Sequence, residues 1–216
     1  ALTKLSELKT IHVNGGLDVE LKYLSGYIVK EQTLIRNVDL SYITLTSEDS
    51  EVLVDITGNI IRALNSKAPN INVLFNMQNK GSTGLHLENG SSIFVHEDKG
   101  VKNAGMHGIH FIESNGTINL TIFTGANNCG IRATQSSQVT AMGADASYAG
   151  EDGFFISRQA LVHANEITDV RKTKATYCGR YGVRCGNAYG SFRNAILTNN
   201  QRGIAVMNGG IVHADY

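Results

Sequence analysis

From residue 84 onward, apolar and polar residues follow one short pattern that recurs six times. Each copy starts with Gly and an apolar residue, a mostly polar residue comes next, and the position after it is apolar again. The starting residues are Gly84, Gly108, Gly130, Gly153, Gly182 and Gly203, so the copies begin 24, 22, 23, 29 and 21 residues apart. Alternation with a period of two is typical of a half-buried strand. A repeat of this length indicates a stacked architecture.

A second alternating segment follows in each copy, after a turn of small and polar residues. These segments are residues 93–95, 118–120, 139–141, 162–164 and 211–214, with Phe192 in the same place of the fifth copy. No segment has a helical period, and about 22 residues are too few for a strand–helix–strand unit. We therefore expect an all-β protein, a parallel β-helix with coils of 21–29 residues. Stacking the coils at roughly 4.8 Å buries a continuous core.

The earlier part of the chain alternates less regularly. Residues 11–21 indicate a strand, a Gly turn and a second strand, whereas residues 57–70 favour a looped-out segment or a short helical turn. We expect a single β-helix domain over residues 1–216, with irregular early coils in 1–83 and six regular coils in 84–216. Because the last residues stop in the middle of a coil, the sequence is expected to be part of a longer chain.

Composition limits the classes of function. The chain has 216 residues, 42% hydrophobic content and a formal net charge of zero, which argues against a general binder of nucleic acid or membrane surfaces. Its three cysteines are an odd number without metal-ligand spacing, so we expect small buried residues made in a reducing compartment. His107 and His110 are a weak metal signal, because a period of two would point their rings to opposite faces. We expect no metal and no cofactor.

Two stretches of the chain resemble a known group of proteins. Residues 37–52, NVDLSYITLTSEDSEV, resemble the early coils of bacteriophage tailspike proteins, and so does the closing phrase at 203–214, GIAVMNGGIVHA. Tailspikes are trimeric, right-handed, single-stranded parallel β-helices of the pectate-lyase type, and many bind and cleave bacterial surface polysaccharide. The resemblance implies a homotrimer in the virion tail, made in the host cytoplasm and acting on capsule or lipopolysaccharide. No catalytic motif is matched, so no catalytic residue can be carried over.

Stacking predicts which side chains share an outer column. On the first strand of each copy that column is His86, His110, Arg132, Phe155, Arg184 and Ala205. On the second strand it is Phe94, Asn119, Thr140, His163, Arg193 and His213. Basic and aromatic side chains in a column suit an extended anionic or hydroxylated polymer. We predict that His110, Arg132, Phe155, His163 and Arg184 bind substrate. The alternative is a solvated face or a subunit interface.

The fourth copy is longer than its neighbours. Its excess lies in residues 168–181, which carry the basic residues Arg171, Lys172, Lys174 and Arg180 together with Tyr177 and Tyr181. Insertions in a repeat array map to loops on one face, often the binding face. Arg171 and Tyr181 are therefore further candidates for binding an acidic sugar chain. The alternative is a solvent-exposed loop that the fold tolerates and that has no binding role.

Glycoside hydrolysis requires two carboxyl groups on one surface. The acids that follow the second strands are Glu97, Asp98, Asp145, Glu166 and Asp169. Carboxylates in one column lie about 4.8 Å apart on adjacent coils, so Asp145 with Glu166 or Asp169 is the predicted catalytic pair. Two alternatives stay open. One is a lyase built on His163, Arg132, Arg184 and Tyr181, and the other is a fibre or adhesin that binds glycan without cleaving it.

Overall fold

The chain folds into a stack of coils with three faces. The structure, a computed structural model, describes residues 18–215. Throughout that range the regular elements are β-strands, without a helix, and neighbouring strands pair in parallel. Each coil visits the three faces in turn, and one face has eight strands, so the stack contains eight coils. The predicted parallel β-helix is confirmed.

The first face, here called the long sheet, holds one strand from every coil. In chain order its strands are Thr33–Arg36, Ile61–Leu64, Leu85–Glu88, His107–Ile112, Cys129–Thr134, Asp152–Ser157, Tyr181–Gly186 and Arg202–Met207. The last six follow the repeated glycine pattern. In most of these coils the two apolar positions after the glycine are buried, as at Leu85 and Leu87.

The second face is divided between two sheets. Its early coils form a three-stranded sheet of Val19–Tyr23, Ile43–Ser47 and Asn70–Ile71. Its later coils form a six-stranded sheet of Ser92–Phe94, Asn115–Thr117, Gln138–Thr140, Leu161–His163, Tyr189–Ser191 and Ile211–His213. Single bridges, Lys67 to Ser92 and Ile71 to Val95, join the two sheets.

The third face begins as a sheet and continues as single bridges. Its strands are Ile28–Val29, Val52–Val54, Leu74–Asn76 and Gly100–Lys102. Beyond them the bridges run from Gly100 through Ile122, Asp145, Lys174 and Ile196. The buried side chains of all three faces meet in one continuous core.

The early coils are more regular than the sequence suggested. The predicted loop or helical turn at 57–70 is wrong, because Ile61–Leu64 is a strand of the long sheet between Thr33–Arg36 and Leu85–Glu88. Buried Ile60 stands where later coils have glycine, so the repeated glycine pattern does not mark this coil. The predicted strand and turn at residues 11–17 lie outside the described residues.

The outer column predicted for the second face is wrong at two positions. In the copy that starts at Gly108, the second strand is Asn115–Thr117. Thr117, rather than the predicted Asn119, is therefore in register with Phe94 and Thr140. The cause is Gly116, an inward position beside the Phe111 ring, where an added Cβ would lie 2.4 Å from the ring. Ser191 likewise replaces Arg193, because Gly190 faces the core and Phe192 fills the space beside it.

The insertion in the fourth copy lies earlier in the chain than the predicted stretch 168–181. Lys174 is already back in the stack, bridged to Asp145 and Ile196, so the insertion lies within residues 166–173. They form a tight loop closed by an antiparallel bridge from Thr168 to Arg171, with Val170 87% exposed at the tip. Residues 174–181 belong to the coil, and Ala175 and Cys178 among them are buried. The three cysteines are free and buried, as expected.

Candidate functional site

The outer face of the long sheet carries two adjacent rows of polar and aromatic side chains. The central row runs from Arg62 through His86, His110, Arg132 and Phe155 to Arg184. From His86 to Arg184 it has the register that the sequence predicted, and Arg62 extends it by one coil. A second row lies three residues before the central row on these strands, and we call it the leading row. Its members are His107, Cys129, Asp152, Tyr181 and Arg202.

The leading row exists because the period of two is interrupted at the glycines. Gly108 and Ile109 both face the core, since a Cβ on Gly108 would lie 3.0 Å from Cβ of buried Phe123. His107 and His110 therefore share the outer face, and their ring centroids are 5.3 Å apart. The expectation that these two rings point to opposite faces is wrong. The signal in the sequence is the residue before each glycine from Gly108 onward, which is polar or ionisable but stands at the end of what the pattern indicates as a linker.

Two arginines clamp Phe155 from the coils on either side. The guanidinium of Arg132 lies 5.0 Å from the ring centroid and that of Arg184 lies 4.2 Å from it. Each contact is a cation–π interaction, in which the negative ring face attracts the positive charge. Three successive coils thus present cation, ring and cation in one line. Phe155 and both arginines remain partly exposed.

Asp152 is a buried carboxylate beside this clamp. It is 0% exposed, and its Oδ2 lies 2.7 Å from Nη2 of Arg184. Burial raises the pKa of Asp152, and the charge of Arg184 opposes that rise. The contact is close enough for an ion pair, but neither carboxylate oxygen accepts a hydrogen bond of good geometry from the described residues. Such a group is costly to bury unless it is paired.

Three histidines on the two coils that precede Arg132 are neutral. His107 and His110 are 1% and 8% exposed. Burial, followed by the charge of Arg132, lowers the pKa of His107 to about 3 and that of His110 to about 2. Burial also lowers the pKa of His86, whose ring centroid is 5.1 Å from that of His110.

Arg132 interacts with neutral groups. Its Nη1 lies 2.9 Å from Nε2 of His107, and because arginine has donors only, Nε2 is the acceptor. The arginine ion pairs nearby are Arg62 with Glu88 and Arg184 with Asp152. Within residues 18–215 none of the ion pairs includes Arg132. Among the three arginines of the central row, Arg132 is therefore the one whose positive charge is not paired with a carboxylate.

Polar groups without hydrogen bonds are concentrated on this face. Within residues 18–215, six buried side-chain atoms lack a hydrogen-bond partner. Five of them are here, namely Nε2 of His86, Nε of Arg132, both Oδ atoms of Asp152 and Nε of Arg184. The sixth is Oε2 of Glu166. Two of these atoms, Nε2 of His86 and Oδ2 of Asp152, still lie within ion-pair distance of Glu88 and Arg184. Since buried polar groups are nearly always satisfied, this concentration makes the long sheet the candidate binding surface.

The predicted catalytic carboxylates are not stacked on one another. The coil neighbours of Asp145 are Ile122 and Lys174, and its Oδ1 accepts a hydrogen bond from the amide of Ser147 at 3.0 Å. Glu166 accepts a hydrogen bond from the side chain of Asn194 instead. Asp169 is exposed in the inserted loop. The predicted column that pairs Asp145 with Glu166 or Asp169 is therefore wrong.

Asp145 does line a small pocket on the third face. The pocket has a volume of about 230 Å³, and its charged lining residues are Asp98, Asp145, Arg171, Lys172 and Lys174. Arg171 also forms an ion pair with Glu97. The inserted loop thus brings basic side chains to a site that already has two carboxylates.

The remaining predicted binding residues lie apart from the central row. Tyr181 is in the leading row, in register with Asp152, and the Arg180 guanidinium lies 5.3 Å from its ring centroid. His163 is on the six-stranded sheet, where it lines a shallow groove of about 490 Å³ with neutral polar side chains such as Asn115 and Gln138. The predicted ribbon is therefore divided between two faces.

Clustered metal ligands and membrane-spanning helices are both missing from the described part of the chain. Across residues 18–215, no group of three or more His, Cys, Asp or Glu side chains is arranged to hold a metal ion. The same range contains no helix of the length and apolarity needed to cross a membrane.

Comparison with known families agrees with the architecture. The family model described as "Right handed beta helix region" matches residues 66–215, well over half of the chain. The chain belongs to the right-handed β-helix family. This fold is compatible with proteins that bind or degrade polysaccharide. Neither the comparison with curated proteins nor the comparison with solved structures found a match.

Proposed function

We propose that this chain is the glycan-binding β-helix of a bacteriophage tailspike, and that it binds an acidic bacterial surface polysaccharide across the long sheet. The observation that carries the proposal is Arg132, a partly exposed arginine without a carboxylate partner in the described chain. A carboxylate of an acidic sugar supplies the missing charge and can accept two parallel hydrogen bonds from a guanidinium.

The surroundings of Arg132 support an acidic sugar over a neutral one. Phe155 on the next coil offers a ring for the apolar side of a sugar, and Arg184 lies on the coil beyond it. The histidines on the other side are neutral, so they add hydrogen-bonding capacity without repelling a cation or attracting an anion. Specificity for charge is then concentrated at the arginines.

The test is binding to a panel of purified capsular polysaccharides and lipopolysaccharides. We expect Arg132→Gln to weaken binding of an acidic polysaccharide by roughly 10- to 100-fold, the usual worth of a charged hydrogen bond. Arg36→Gln, an exposed arginine on the first strand of the same sheet, is the matched control and should bind normally. Binding should also weaken as salt rises. Equal affinity of Arg132→Gln and wild type, or no binding across the panel, would refute the proposal.

Glycoside hydrolysis is the second candidate function, and the pocket of the third face favours it. Asp98 and Asp145 line that pocket together, two coils apart, beside three basic residues. Asp145 is in register with Gly100, two residues beyond Asp98, so two coils of about 4.8 Å put the two backbones at least about 9.6 Å apart, at the upper end of the carboxylate separation of inverting glycosidases. The assay measures new reducing ends after incubation with the polysaccharide that the chain binds. Absorbance from unsaturated uronates would indicate a lyase instead.

Variants of the carboxylates assign the cleavage site. Asp145→Asn and Asp98→Asn should each lower the rate of cleavage by 100-fold or more, on the order of one general acid or base. Asp169→Asn, in the loop but outside the pocket, should cleave at the wild-type rate. A loss of cleavage in Asp169→Asn alone would move the site away from the pocket. Binding without any product would leave the glycan-binding proposal intact and remove hydrolysis.

The proposal includes assembly as a homotrimer in the phage tail, as the tailspike resemblance implies. Sedimentation equilibrium of the purified chain should give three times the 23.3 kDa chain mass. A monomer at micromolar concentration would contradict the trimer for residues 1–216 while leaving the glycan-binding surface of a single chain testable.

A further inference from the structure

Two exposed tyrosines on adjacent coils form a stacked pair at the corner between the third face and the long sheet. The ring centroids of Tyr148 and Tyr177 are 5.3 Å apart and the ring planes differ by 4°. The two residues are 62% and 56% exposed. The two rings together form a parallel aromatic surface that the rest of the described chain leaves exposed.

Both tyrosines stand where the backbone favours other residues. Tyr148 has φ of 60° and Tyr177 has φ of 57°, in the left-handed region that bulky side chains rarely adopt. The same corner of the neighbouring coils holds Asn103, Gly125 and Asn199, also at positive φ. Asn and Gly are the residues that tolerate this conformation. The pair therefore costs stability that the neighbouring coils avoid, a pattern associated with functional positions.

Hydrogen bonds hold the two backbones in place. The amide of Tyr148 donates to the carbonyl of Thr176 at 2.8 Å. Buried Ser147 accepts hydrogen bonds at Oγ from the amide of Thr176 at 3.0 Å and from its hydroxyl at 3.1 Å. Asp145 accepts a hydrogen bond from the amide of Ser147. The rings are thus presented by a fixed corner, so a ligand that stacks on them meets a preformed surface.

The pair also has an open ring face and lies between the two candidate sites. Tyr177 covers one face of the Tyr148 ring, and the coil on the other side has Gly125, without a side chain, at this position. Three residues before the pair, Asp145 and Lys174 are bridged at the pocket. Four residues after it, Asp152 and Tyr181 are in register on the long sheet. The two tyrosines therefore lie between the pocket and the long sheet along both coils.

We propose that Tyr148 and Tyr177 form a stacking subsite for a pyranose ring of the bound polysaccharide. This inference rests on the proposed glycan-binding function and extends it around the corner toward the pocket. The apolar face of a sugar ring packs on the open face of Tyr148, and the phenol hydroxyls reach the sugar hydroxyls at the ring edge.

The experiment replaces each tyrosine with the residue that the backbone prefers. Tyr148→Asn, Tyr177→Asn and the double variant are compared with Tyr27→Asn, which removes an exposed tyrosine from another aromatic pair at the far end of the stack. The probe is the acidic capsular polysaccharide that the wild-type chain retains in the panel. We expect the double variant to bind it about tenfold more weakly or worse. Its melting temperature should equal or exceed that of wild type, because Asn relieves the backbone.

Nitration of tyrosine gives a direct readout of contact. Tetranitromethane should modify Tyr148 and Tyr177 in the free chain, and the bound polysaccharide should protect both while Tyr27 stays reactive. Unchanged affinity in the double variant, with binding still sensitive to Arg132→Gln, would refute the subsite and leave the proposed function standing. A lower melting temperature in the Asn variants together with unchanged affinity would assign the pair a structural role. Failure of the wild-type chain to bind any polysaccharide would refute the proposed function, and the subsite with it.

Discussion

The long sheet and the six-stranded sheet are built from the same coils, yet their outer faces differ in chemistry and burial. In the central and leading rows of the long sheet the side chains are ionisable or aromatic, and Asp152, His107 and His110 among them are buried. On the six-stranded sheet the outer positions are mainly neutral, such as Asn115 and Gln138, and both of these are exposed. One face is a network of charges, and the other is a shallow neutral groove.

Contacts between neighbouring outward rows explain much of this difference. Both sheets have two outward rows, since Asn115 and Thr117 flank the inward Gly116 on the six-stranded sheet. On the long sheet the side chains of the central and leading rows cover each other. Arg132 reaching His107 is one such contact, at 2.9 Å. Outer residues of a solenoid are therefore not automatically solvated, and they can form a second, polar core.

Removing Asp152 should cause the largest loss of stability. Asp152→Ala leaves Arg184 without its carboxylate in a largely buried position, and breaking a buried ion pair costs about 3–5 kcal/mol. The measurement is the free energy of unfolding from urea denaturation. Glu151→Ala is the control, because its pair with Arg180 is solvent-exposed and screened, and so contributes little to stability. Equal losses in the two variants would contradict the picture of a buried network on the long sheet.

Acid should destabilise the long sheet through its histidines. The folded-state pKa values of His107 and His110, about 3 and about 2, lie below the ordinary value of 6.5. The unfolded chain therefore binds more protons below pH 6.5. Each histidine then costs about 1.4 kcal/mol per pH unit, until the pH falls to its folded pKa. The raised pKa of Asp152 acts in the opposite sense, because the folded state takes up that proton more readily as the pH falls.

One series of measurements distinguishes how the long sheet and the six-stranded sheet contribute to the pH dependence of stability. Urea denaturation between pH 7 and pH 4 gives the slope of stability against pH. The double variant His107→Gln/His110→Gln should have a flatter slope than wild type, although its stability at pH 7 will be lower. His163→Gln/His213→Gln, two exposed histidines of the six-stranded sheet, should keep the wild-type slope. A steep slope that survives in the first variant would remove the assignment to the buried pair.

Much of the fold could be predicted because glycine fixed the phase of each coil. The inward positions and the central row from His86 to Arg184 follow from one glycine and a period of two. The leading row did not follow, since Gly108 and Ile109 face the core in succession. Ile60 shows the converse case, in which a coil is present although the marking glycine is not.

The candidate site was less predictable than the fold. Which residues share a row depends on backbone register, but which of them are buried or paired depends on side-chain packing. By sequence Asp152 lies at the corner before Gly153, where a carboxylate is usually solvated, yet it is buried in register with Cys129. Tyr148 stands in a loop by sequence pattern, and its partner Tyr177 is 29 residues away along the chain. Only the stacking of their coils brings the two rings together.

The smallest predicted effect uses a matched pair of threonines on one coil. Thr134 on the long sheet is buried, its hydroxyl donates to the carbonyl of Phe111 at 3.2 Å, and it lies 3.4 Å from Nε2 of His110. Thr134→Val keeps the shape and removes the hydroxyl, so it should cost about 1–2 kcal/mol of unfolding free energy. Thr140, on the six-stranded sheet of the same coil, faces the groove, and Thr140→Val should change stability by less than about 0.5 kcal/mol. Equal effects in urea denaturation would mean that the two outer faces are solvated alike, and the contrast in burial between them would have to be abandoned.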